Sequence, residues 1–138
     1  MHKFGNIEIN NGEKIKGFFN VSNTNMKLPA TIISGNEEGK TVLITAGVHS
    51  CEYVGIETCK QLANRLGPKD IKGVLIIIPV VNTSGFESRM PTIVPEDNKN
   101  LNRVFPGKED GTTSERLAWF LSNEIFPKVD FYMDLRFC

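Results

Sequence analysis

A histidine and a glutamate three positions apart are the first residues in this sequence that could do chemistry. His49 and Glu52 occur in the run GVHSCE, directly after a β-branched stretch. At a junction between a strand and a helix, an imidazole and a carboxylate with this spacing can turn towards one point. They are two of the three protein ligands in a His₂Glu catalytic zinc site, whose remaining position holds water. The same spacing is typical of a helix cap or a surface ion pair, so alone it leaves the metal site open.

The second set of candidate residues is basic and amide-bearing. Arg89 lies in a long polar stretch, and Asn102 and Arg103 follow later in that stretch. Guanidinium groups bind carboxylates through paired hydrogen bonds, so two arginines and an amide beside a metal would suit an anionic substrate. The alternative is that these arginines are solvated loop residues without a ligand.

An alternation of strands and helices is predicted to position these residues. Apolar and β-branched runs predict buried strands at residues 41–46, 74–81 and 130–135, and periodicity predicts a helix over residues 51–66. A capping box from Thr112 to Glu115 opens a second helix, which stops at Pro127. Strands linked by short helical connections favour a parallel central sheet. Ligands bind beyond the carboxyl ends of such strands, which places residues 47–52, 82–103 and 135–138 around one crevice.

The N-terminal residues are predicted to form short antiparallel strands instead. The runs are residues 5–9, 15–21 and 30–33, and an Asn-Gly turn at residues 11–12 is a strong hairpin signal. Residues 82–111 show little periodicity and are predicted to be one long loop, a feature that is often functional.

Length and charge exclude several classes of protein. The chain has 138 residues, which predicts a single domain over residues 1–138, and its 16 basic residues balance 16 acidic ones. A net charge of zero does not favour nucleic acid or an anionic membrane as a partner. The longest apolar run, residues 74–81, is far shorter than the ~20 residues that span a bilayer. No apolar signal segment follows Met1, so a cytoplasmic location is expected.

Five segments together resemble one family. In chain order they are GVHSCE, PVVN with GFESRMP, PEDNKNLNRVFPG, GTTSERLA and DFYMDL. Their order and spacing resemble the succinylglutamate desuccinylase/aspartoacylase family, a branch of the zinc carboxypeptidase-like hydrolases, over about residues 29–135. The resemblance implies an α/β fold, a mixed sheet with parallel core strands and flanking helices, like the N-terminal half of a zinc carboxypeptidase-like domain.

The resemblance also implies a function and a role for each candidate. It implies a zinc-dependent hydrolase that cleaves the amide bond of a small N-acylated amino acid or a related carboxylate-bearing compound. His49 and Glu52 match the first two zinc ligands of the family. Asn102 and Arg103 match the pair that holds the substrate carboxylate, and Arg89 is a further anion contact. The zinc would polarise the scissile carbonyl and acidify a bound water.

The sequence departs from the family where the third zinc ligand is expected. The family has a histidine after its Asp-Leu pair, and here Arg136 follows Leu135. Arginine has no lone pair to offer a metal. A thiolate from Cys51 or Cys138 is an alternative ligand, and helix packing and a free terminal thiol are the simpler interpretations of these two residues. We therefore expect zinc to bind weakly or not at all.

Two further expectations concern function and assembly. The catalytic glutamate of the family, its general base, lies in a second half that has no match here, so this chain is expected to be inactive. The alternative function is a catalytically silent binding or assembly domain in which an Arg136–Glu52 pair replaces the metal. An unpaired core strand at residues 130–135 would favour a homo-oligomer.

Overall fold

A five-stranded mixed sheet forms the centre of the protein, seen in a computed structural model that describes residues 1–136. The strands and helices, in chain order, are β1 (His2–Phe4), β2 (Ile7–Ile9), β3 (Lys14–Asn20), β4 (Lys27–Ser34), β5 (Thr41–Ala46), α1 (Tyr53–Arg65), β6 (Val74–Ile78), α2 (Thr83–Glu87), α3 (Thr113–Phe120) and β7 (Phe131–Leu135). None of the helices within these residues is long and apolar enough to span a membrane.

The sheet combines a parallel part with an antiparallel part. Its strand order is β3-β4-β6-β5-β7, and β5 runs parallel to both β6 and β7. The predicted parallel core is therefore confirmed. β4 pairs antiparallel with β6, and β3 with β4. Ala46 is paired with Leu135, so the carboxyl ends of β5 and β7 lie level at one edge of the sheet.

Helices cover both faces of the sheet, as expected for flanking helices. Along β6, Ile77 packs into the same cluster as Ile56 of α1, whereas Ile76 and Ile78 point to the cluster that contains Leu117 of α3. This alternation is the period of two that a strand buried on both faces requires. The sequence run at residues 74–78 is apolar throughout because helices cover both faces of β6, and only Leu75 is partly exposed.

The N-terminal pairing differs from the prediction. The turn at Gly12 forms, but β2 pairs with β1 rather than with β3. Two competing pairings explain this, because all seven residues of β3 pair with β4, and the Gly12 N–H donates to the Ser34 carbonyl at 2.9 Å. β2 is left to form its own two-stranded sheet and buries Ile7 and Ile9.

The segment from residue 82 to residue 111 is more ordered than predicted. It contains α2, an isolated bridge between Val94 and Lys99, and a 3₁₀ turn at Leu101–Arg103. Short side-chain caps form these elements, and such caps leave no periodic pattern in a sequence. The predicted capping box from Thr112 to Glu115 is present, and α3 continues as a π-helical turn over Leu121–Ile125.

Candidate metal and substrate site

A glycine turns the chain out of β5 and towards the candidate ligands. Gly47 has φ of +66°, a conformation that glycine adopts without steric cost. A Cβ at this position would lie 2.9 Å from Val80 Cα, so only glycine lets the two backbones approach this closely. The Gly47 carbonyl then accepts a 2.8 Å hydrogen bond from Asn82 N–H, which joins the ends of β5 and β6.

A second glycine fixes the start of α1, whose N-cap is Glu52. A Cβ at Gly55 would lie 2.9 Å from the Leu135 carbonyl oxygen, so the first turn of α1 packs directly on the end of β7. Glu52 N–H donates to the His49 carbonyl at 3.1 Å and closes a tight turn between the two residues. The Glu52 side chain is buried, with 4% of its surface exposed.

His49 and Glu52 are brought together as their spacing predicts. His49 Nδ1 lies 3.7 Å from Glu52 Oε1, and the same carboxylate oxygen accepts a 3.3 Å hydrogen bond from the His49 backbone N–H. Two ligands of one tetrahedral zinc, each bonded at about 2.1 Å, are separated by ~3.4 Å. The two side chains therefore fit two positions of a zinc coordination shell.

Asn100, which was not predicted from the sequence as a site residue, contacts the histidine from its other side. Its Oδ1 lies 2.9 Å from His49 Nε2 and accepts a 3.1 Å hydrogen bond from the backbone N–H of Asn102. Asn100 is the N-cap of the 3₁₀ turn Leu101–Arg103. Asn often caps a turn by accepting a hydrogen bond from the backbone N–H two residues later. This local signal does not reveal the contact with His49, which is 51 positions away in the sequence.

Hydrogen bonds hold the segment around Arg89 against the His49 loop. Buried Ser50 donates from Oγ to the Met90 carbonyl at 2.7 Å, and Cys51 N–H donates to the Pro91 carbonyl at 3.3 Å. Arg89 itself is exposed and has φ of +56°, in the left-handed region. Arg89 is thus the residue before Met90, whose carbonyl contacts the His49–Glu52 loop directly.

Asn82 anchors the other side of this segment. It is fully buried, its Oδ1 accepts from Gly85 N–H at 3.0 Å as the N-cap of α2, and its Nδ2 donates to the Ile93 carbonyl at 2.9 Å. Both bonds fold residues 83–93 into one unit. In the sequence, Asn82 directly follows the PVV run at the end of β6, and this is a typical position for a helix N-cap.

Asn102 and Arg103 lie on the turn that Asn100 caps. Both are exposed, and the turn is fixed by Leu101, which has no exposed surface. Because Asn100 contacts His49, this turn lies directly beside the histidine. The segments at residues 47–52, 82–91 and 100–103 are therefore neighbours, and a crevice between them stays a prediction.

Arg136 does not pair with Glu52 as the alternative prediction proposed. Its Nε donates to Asp134 Oδ2, two residues earlier in the chain, and its side chain is 41% exposed. The nearer carboxylate competes more effectively for the guanidinium than the buried Glu52. Since Ala46 is level with Leu135, position 136 lies one residue past the same sheet edge from which His49 emerges.

The other oxygen of Asp134 belongs to a small polar cluster between β7 and its neighbour β5. Thr45 Oγ1 donates to Asp134 Oδ1 at 2.7 Å, and the same hydroxyl lies 2.8 Å from the Tyr132 OH. Burial raises the pKa of Tyr132 to about 12, against the opposing effect of the Thr45 hydrogen bond. Tyr132 therefore stays neutral at physiological pH.

The described residues supply two of the expected ligands. Within residues 1–136 there is no group of three or more His, Cys, Asp or Glu side chains placed to hold a metal ion. His2 lies on β1, with its ring stacked on Phe4 at 6.2 Å between centroids. Cys138, one of the alternative ligands, lies outside the described residues.

A comparison with known families matches most of the chain. The profile of the succinylglutamate desuccinylase/aspartoacylase catalytic domain matches residues 38–136. Among curated proteins, an N-alpha-acetyl-L-2,4-diaminobutyric acid deacetylase from Halomonas elongata is 35% identical over 134 residues, which are 97% of this chain and 36% of the deacetylase. The chain thus spans about a third of the length of this relative.

Solved structures share the fold. A succinylglutamate desuccinylase/aspartoacylase from Rhodobacter sphaeroides has a TM-score of 0.83 and 31% identity, over 97% of this chain and 44% of that one. A metallo-carboxypeptidase from Pseudomonas aeruginosa has a TM-score of 0.62 and 16% identity, over 80% of this chain and 32% of that one. The predicted carboxypeptidase-like α/β fold is confirmed.

Proposed function

The chain belongs to the succinylglutamate desuccinylase/aspartoacylase family, and from this premise we propose that it carries the zinc- and substrate-binding residues of a hydrolase of small N-acylated amino acids. The observation that carries the proposal is the pair formed by His49 Nδ1 and Glu52 Oε1, 3.7 Å apart on a buried carboxylate. A carboxylate with so little exposed surface needs a positive partner, and a divalent cation held with the imidazole supplies one.

The chemistry divides between the metal and the chain. Zinc, when bound, would polarise the acyl carbonyl and acidify a water molecule. Glu52 and His49 hold their ligand atoms in place because the turn at Gly47 and the packing of Gly55 on Leu135 fix the backbone on both sides. The rigid mounting reduces the reorganisation that metal binding would otherwise require.

The substrate would be held by the exposed basic residues beside the histidine. Asn102 and Arg103 lie on the turn that contacts His49 through Asn100, and Arg89 follows α2 on the neighbouring segment. A carboxylate accepts paired hydrogen bonds from a guanidinium and a further one from an amide. The deacetylase relative acts on an N-acetylated diamino acid, and we propose an N-acetylated amino acid as the substrate class here as well.

A catalytically silent binding domain is the alternative within the same family. The incomplete ligand set among residues 1–136 favours it. Both functions predict that a small acylamino acid binds near Arg103. They differ in zinc binding and in turnover.

Zinc titration with a matched pair of variants tests the metal site. We expect the wild type to bind zinc weakly and to release it to a mild chelator, and we expect Glu52→Gln to abolish even this binding. Glu57→Gln, on the exposed face of α1, is the control and should match the wild type. Equal zinc affinity in the wild type and Glu52→Gln would contradict the metal-site assignment.

Binding of N-acetyl-2,4-diaminobutyrate, followed by calorimetry, tests the anion site. We expect Arg103→Gln to weaken this binding at least tenfold, because the paired guanidinium contact is lost. Arg65→Gln, at the last turn of α1, serves as the control for the loss of one positive charge. Unchanged binding in Arg103→Gln would refute the carboxylate role of Arg103.

A further inference from the structure

We propose that a cavity beside α2 is a second binding site, which takes a small organic cation with a primary ammonium group. The cavity lies between the turn that links β3 to β4, helix α2 and the first residue of α3, and its volume is about 640 Å³. Small-molecule sites typically occupy about 300–1,000 Å³. None of the residues assigned to the metal and the acylamino acid lines this cavity, so the inference does not rest on the proposed function.

The cavity lies at the edge of the sheet where ligands are expected. β4 runs antiparallel to β6 with Thr31 opposite Ile77, so β4 begins at the edge where β6 ends. Lys27, the first residue of β4, pairs with Asn20, the last residue of β3. The turn between these two strands therefore projects from the same edge as the carboxyl ends of the parallel strands. Ligands of open α/β sheets bind beyond that edge.

Two carboxylates set the charge of the cavity. Glu87 at the end of α2 and Glu96 in the following loop both line it, and within residues 1–136 neither carboxylate takes part in an ion pair or a hydrogen bond. Lys27 is the one basic side chain of the lining, so two carboxylates and one ammonium leave a net charge of −1. A cation bound between the carboxylates relieves their mutual repulsion. A cationic ligand is therefore favoured over a neutral or an anionic one.

An unpaired hydroxyl in the wall of the cavity indicates a ligand that donates hydrogen bonds. Ser84 belongs to the lining, and its Oγ is the one buried side-chain N or O atom within residues 1–136 that lacks a hydrogen-bond partner. Buried polar atoms are rarely left unpaired in proteins. A primary ammonium has three N–H donors, and the Ser84 hydroxyl and the two carboxylates are acceptors for them.

An aromatic side chain supplies an apolar surface for the rest of the ligand. Phe18 of β3 is 56% exposed and lines the cavity together with Pro29. Methylene groups can pack on this surface, and the face of an aromatic ring also attracts a cation. Carboxylates, a hydroxyl and an aromatic ring together suit a short alkyl diamine.

Hydrogen bonds fix the turn that forms one wall of the cavity. Thr24 Oγ1 donates to the Val21 carbonyl at 2.9 Å and accepts from the Met26 N–H at 3.0 Å. Arg116 of α3 donates to the Asn23 carbonyl at 2.6 Å and so joins this turn to the helix. Because these bonds form without a ligand, binding has little backbone to order.

A nuclear magnetic resonance titration of the metal-free protein with 1,4-diaminobutane tests the site. The two comparison compounds are 1,4-butanediol, which has the same length without the charges, and succinate, which has the opposite charge. We expect saturable binding of the diamine with a millimolar Kd, and shifted amide signals at Ser84, Glu87 and Glu96. We expect added salt to weaken this binding, because both carboxylates are exposed.

Matched variants separate the cavity from unspecific attraction to a negative surface. We expect Glu87→Gln and Glu96→Gln each to weaken diamine binding about two- to fivefold, and the double variant to weaken it about tenfold. Glu57→Gln, which removes one exposed negative charge on α1 outside the cavity, is the control and should bind like the wild type. Ser84→Ala should weaken binding without lowering the free energy of unfolding, since its hydroxyl has no partner to lose.

Three results would overturn the inference. They are binding of the diol as tight as that of the diamine, an equal loss in Glu57→Gln and in the cavity variants, and shifts centred on His49 and Glu52 instead of Glu87 and Glu96. Failure of zinc or of an acylamino acid to bind would refute the proposed function alone, because the two sites share no residue.

Discussion

Ser50 Oγ donates a 2.7 Å hydrogen bond to the backbone carbonyl of Met90, and this bond ties the His49–Glu52 loop to the segment that carries Arg89. Ser50 is almost fully buried, with 2% of its surface exposed. Removal of the hydroxyl would leave a carbonyl oxygen without its partner, at a cost of roughly 1–3 kcal/mol. This buried contact and the Cys51–Pro91 backbone hydrogen bond thus join the metal side of the site to the anion side.

We expect Ser50→Ala to lower the free energy of unfolding by about 1–2 kcal/mol. We also expect faster amide hydrogen exchange in residues 88–90, because the segment loses one of its two hydrogen bonds to the His49–Glu52 loop. Urea denaturation and exchange mass spectrometry measure the two effects. Ser88→Ala, at an exposed position in the same segment, is the control and should leave both unchanged. Equal exchange rates in the wild type and Ser50→Ala would show that the hydroxyl does not hold the segment.

The substitution Arg136→His tests whether position 136 faces the ligand pair. It adds an imidazole one residue past Leu135, at the sheet edge from which His49 emerges, and it removes a cation. We expect zinc affinity to rise at least tenfold, while hydrolysis of an N-acetyl amino acid stays near background. A positioned general base contributes about 10²–10⁴-fold, and within residues 1–136 no third His, Cys, Asp or Glu side chain completes a group with His49 and Glu52.

Zinc titration and a hydrolysis assay on the wild type and the Arg136→His variant measure both effects. Arg136→Gln removes the cation without adding a ligand, so it separates the effect of the lost positive charge from the effect of the added imidazole. Unchanged zinc affinity in Arg136→His would mean that position 136 does not face His49 and Glu52. Strong turnover would instead reveal a base within this chain.

Arg89 occupies a backbone conformation that favours glycine, with φ of +56°. We expect Arg89→Gly to raise the free energy of unfolding by up to about 1 kcal/mol, because glycine adopts this conformation without a Cβ clash. We expect it at the same time to weaken binding of an N-acetyl amino acid. Opposite signs for stability and binding would indicate that the strain is retained for ligand recognition.

Thermal denaturation and calorimetry measure these effects, and Arg65→Gly within α1 provides the contrast. There the backbone is helical and glycine should destabilise the protein. A loss of stability in Arg89→Gly, or unchanged ligand binding, would contradict the role given to Arg89.

Glu115 is expected to contribute to the pH dependence of the free energy of unfolding in acid. The backbone N–H of Thr112 and the Lys99 ammonium lower the pKa of Glu115 from 4.5 to about 2. Because the folded pKa is depressed, the stabilisation is present above about pH 4.5 and is lost as the pH falls through about 2. We expect Glu115→Gln to flatten the pH dependence of the free energy of unfolding between pH 5 and pH 2. Urea titrations at several pH values measure the slope, with Glu109→Gln on the exposed neighbouring loop as the control. An unchanged slope in Glu115→Gln would contradict this assignment.

The edge strand β7 leads us to propose a homo-oligomer. Within the described residues β7 is the last strand of the sheet, and Phe131 and Met133 are 60% and 54% exposed. Strands of this kind pair with other chains unless charges block them. We expect concentration-dependent association in light scattering, and we expect Met133→Lys to shift it towards the monomer. Phe18→Lys, on the opposite edge strand β3, should have little effect. A monomer at all concentrations would refute the proposal.

The parts of the site that depend on local spacing were predictable from the sequence. His49 and Glu52 are three positions apart at a strand end, so a single turn brings them together. The parallel core was also predictable, because buried apolar strands that are joined by short connections leave few alternative sheet topologies. Asn100 was not, because its contact with His49 depends on how a loop folds back over the sheet. The Arg136 pairing was wrong because the nearer Asp134 competes for the guanidinium.

The packing of Gly55 on the Leu135 carbonyl has a consequence for ion discrimination. A Cβ at position 55 would lie 2.9 Å from the Leu135 carbonyl oxygen, so the close packing of α1, which begins next to Glu52, on β7 depends on this glycine. Calcium requires six to eight oxygen ligands at 2.3–2.6 Å in an adaptable shell, whereas a nitrogen and an oxygen at fixed short separation suit a small borderline-soft ion. We expect Gly55→Ala, which disturbs this packing, to weaken binding of zinc, cobalt or nickel, ions that suit a nitrogen and an oxygen ligand better than calcium or magnesium do.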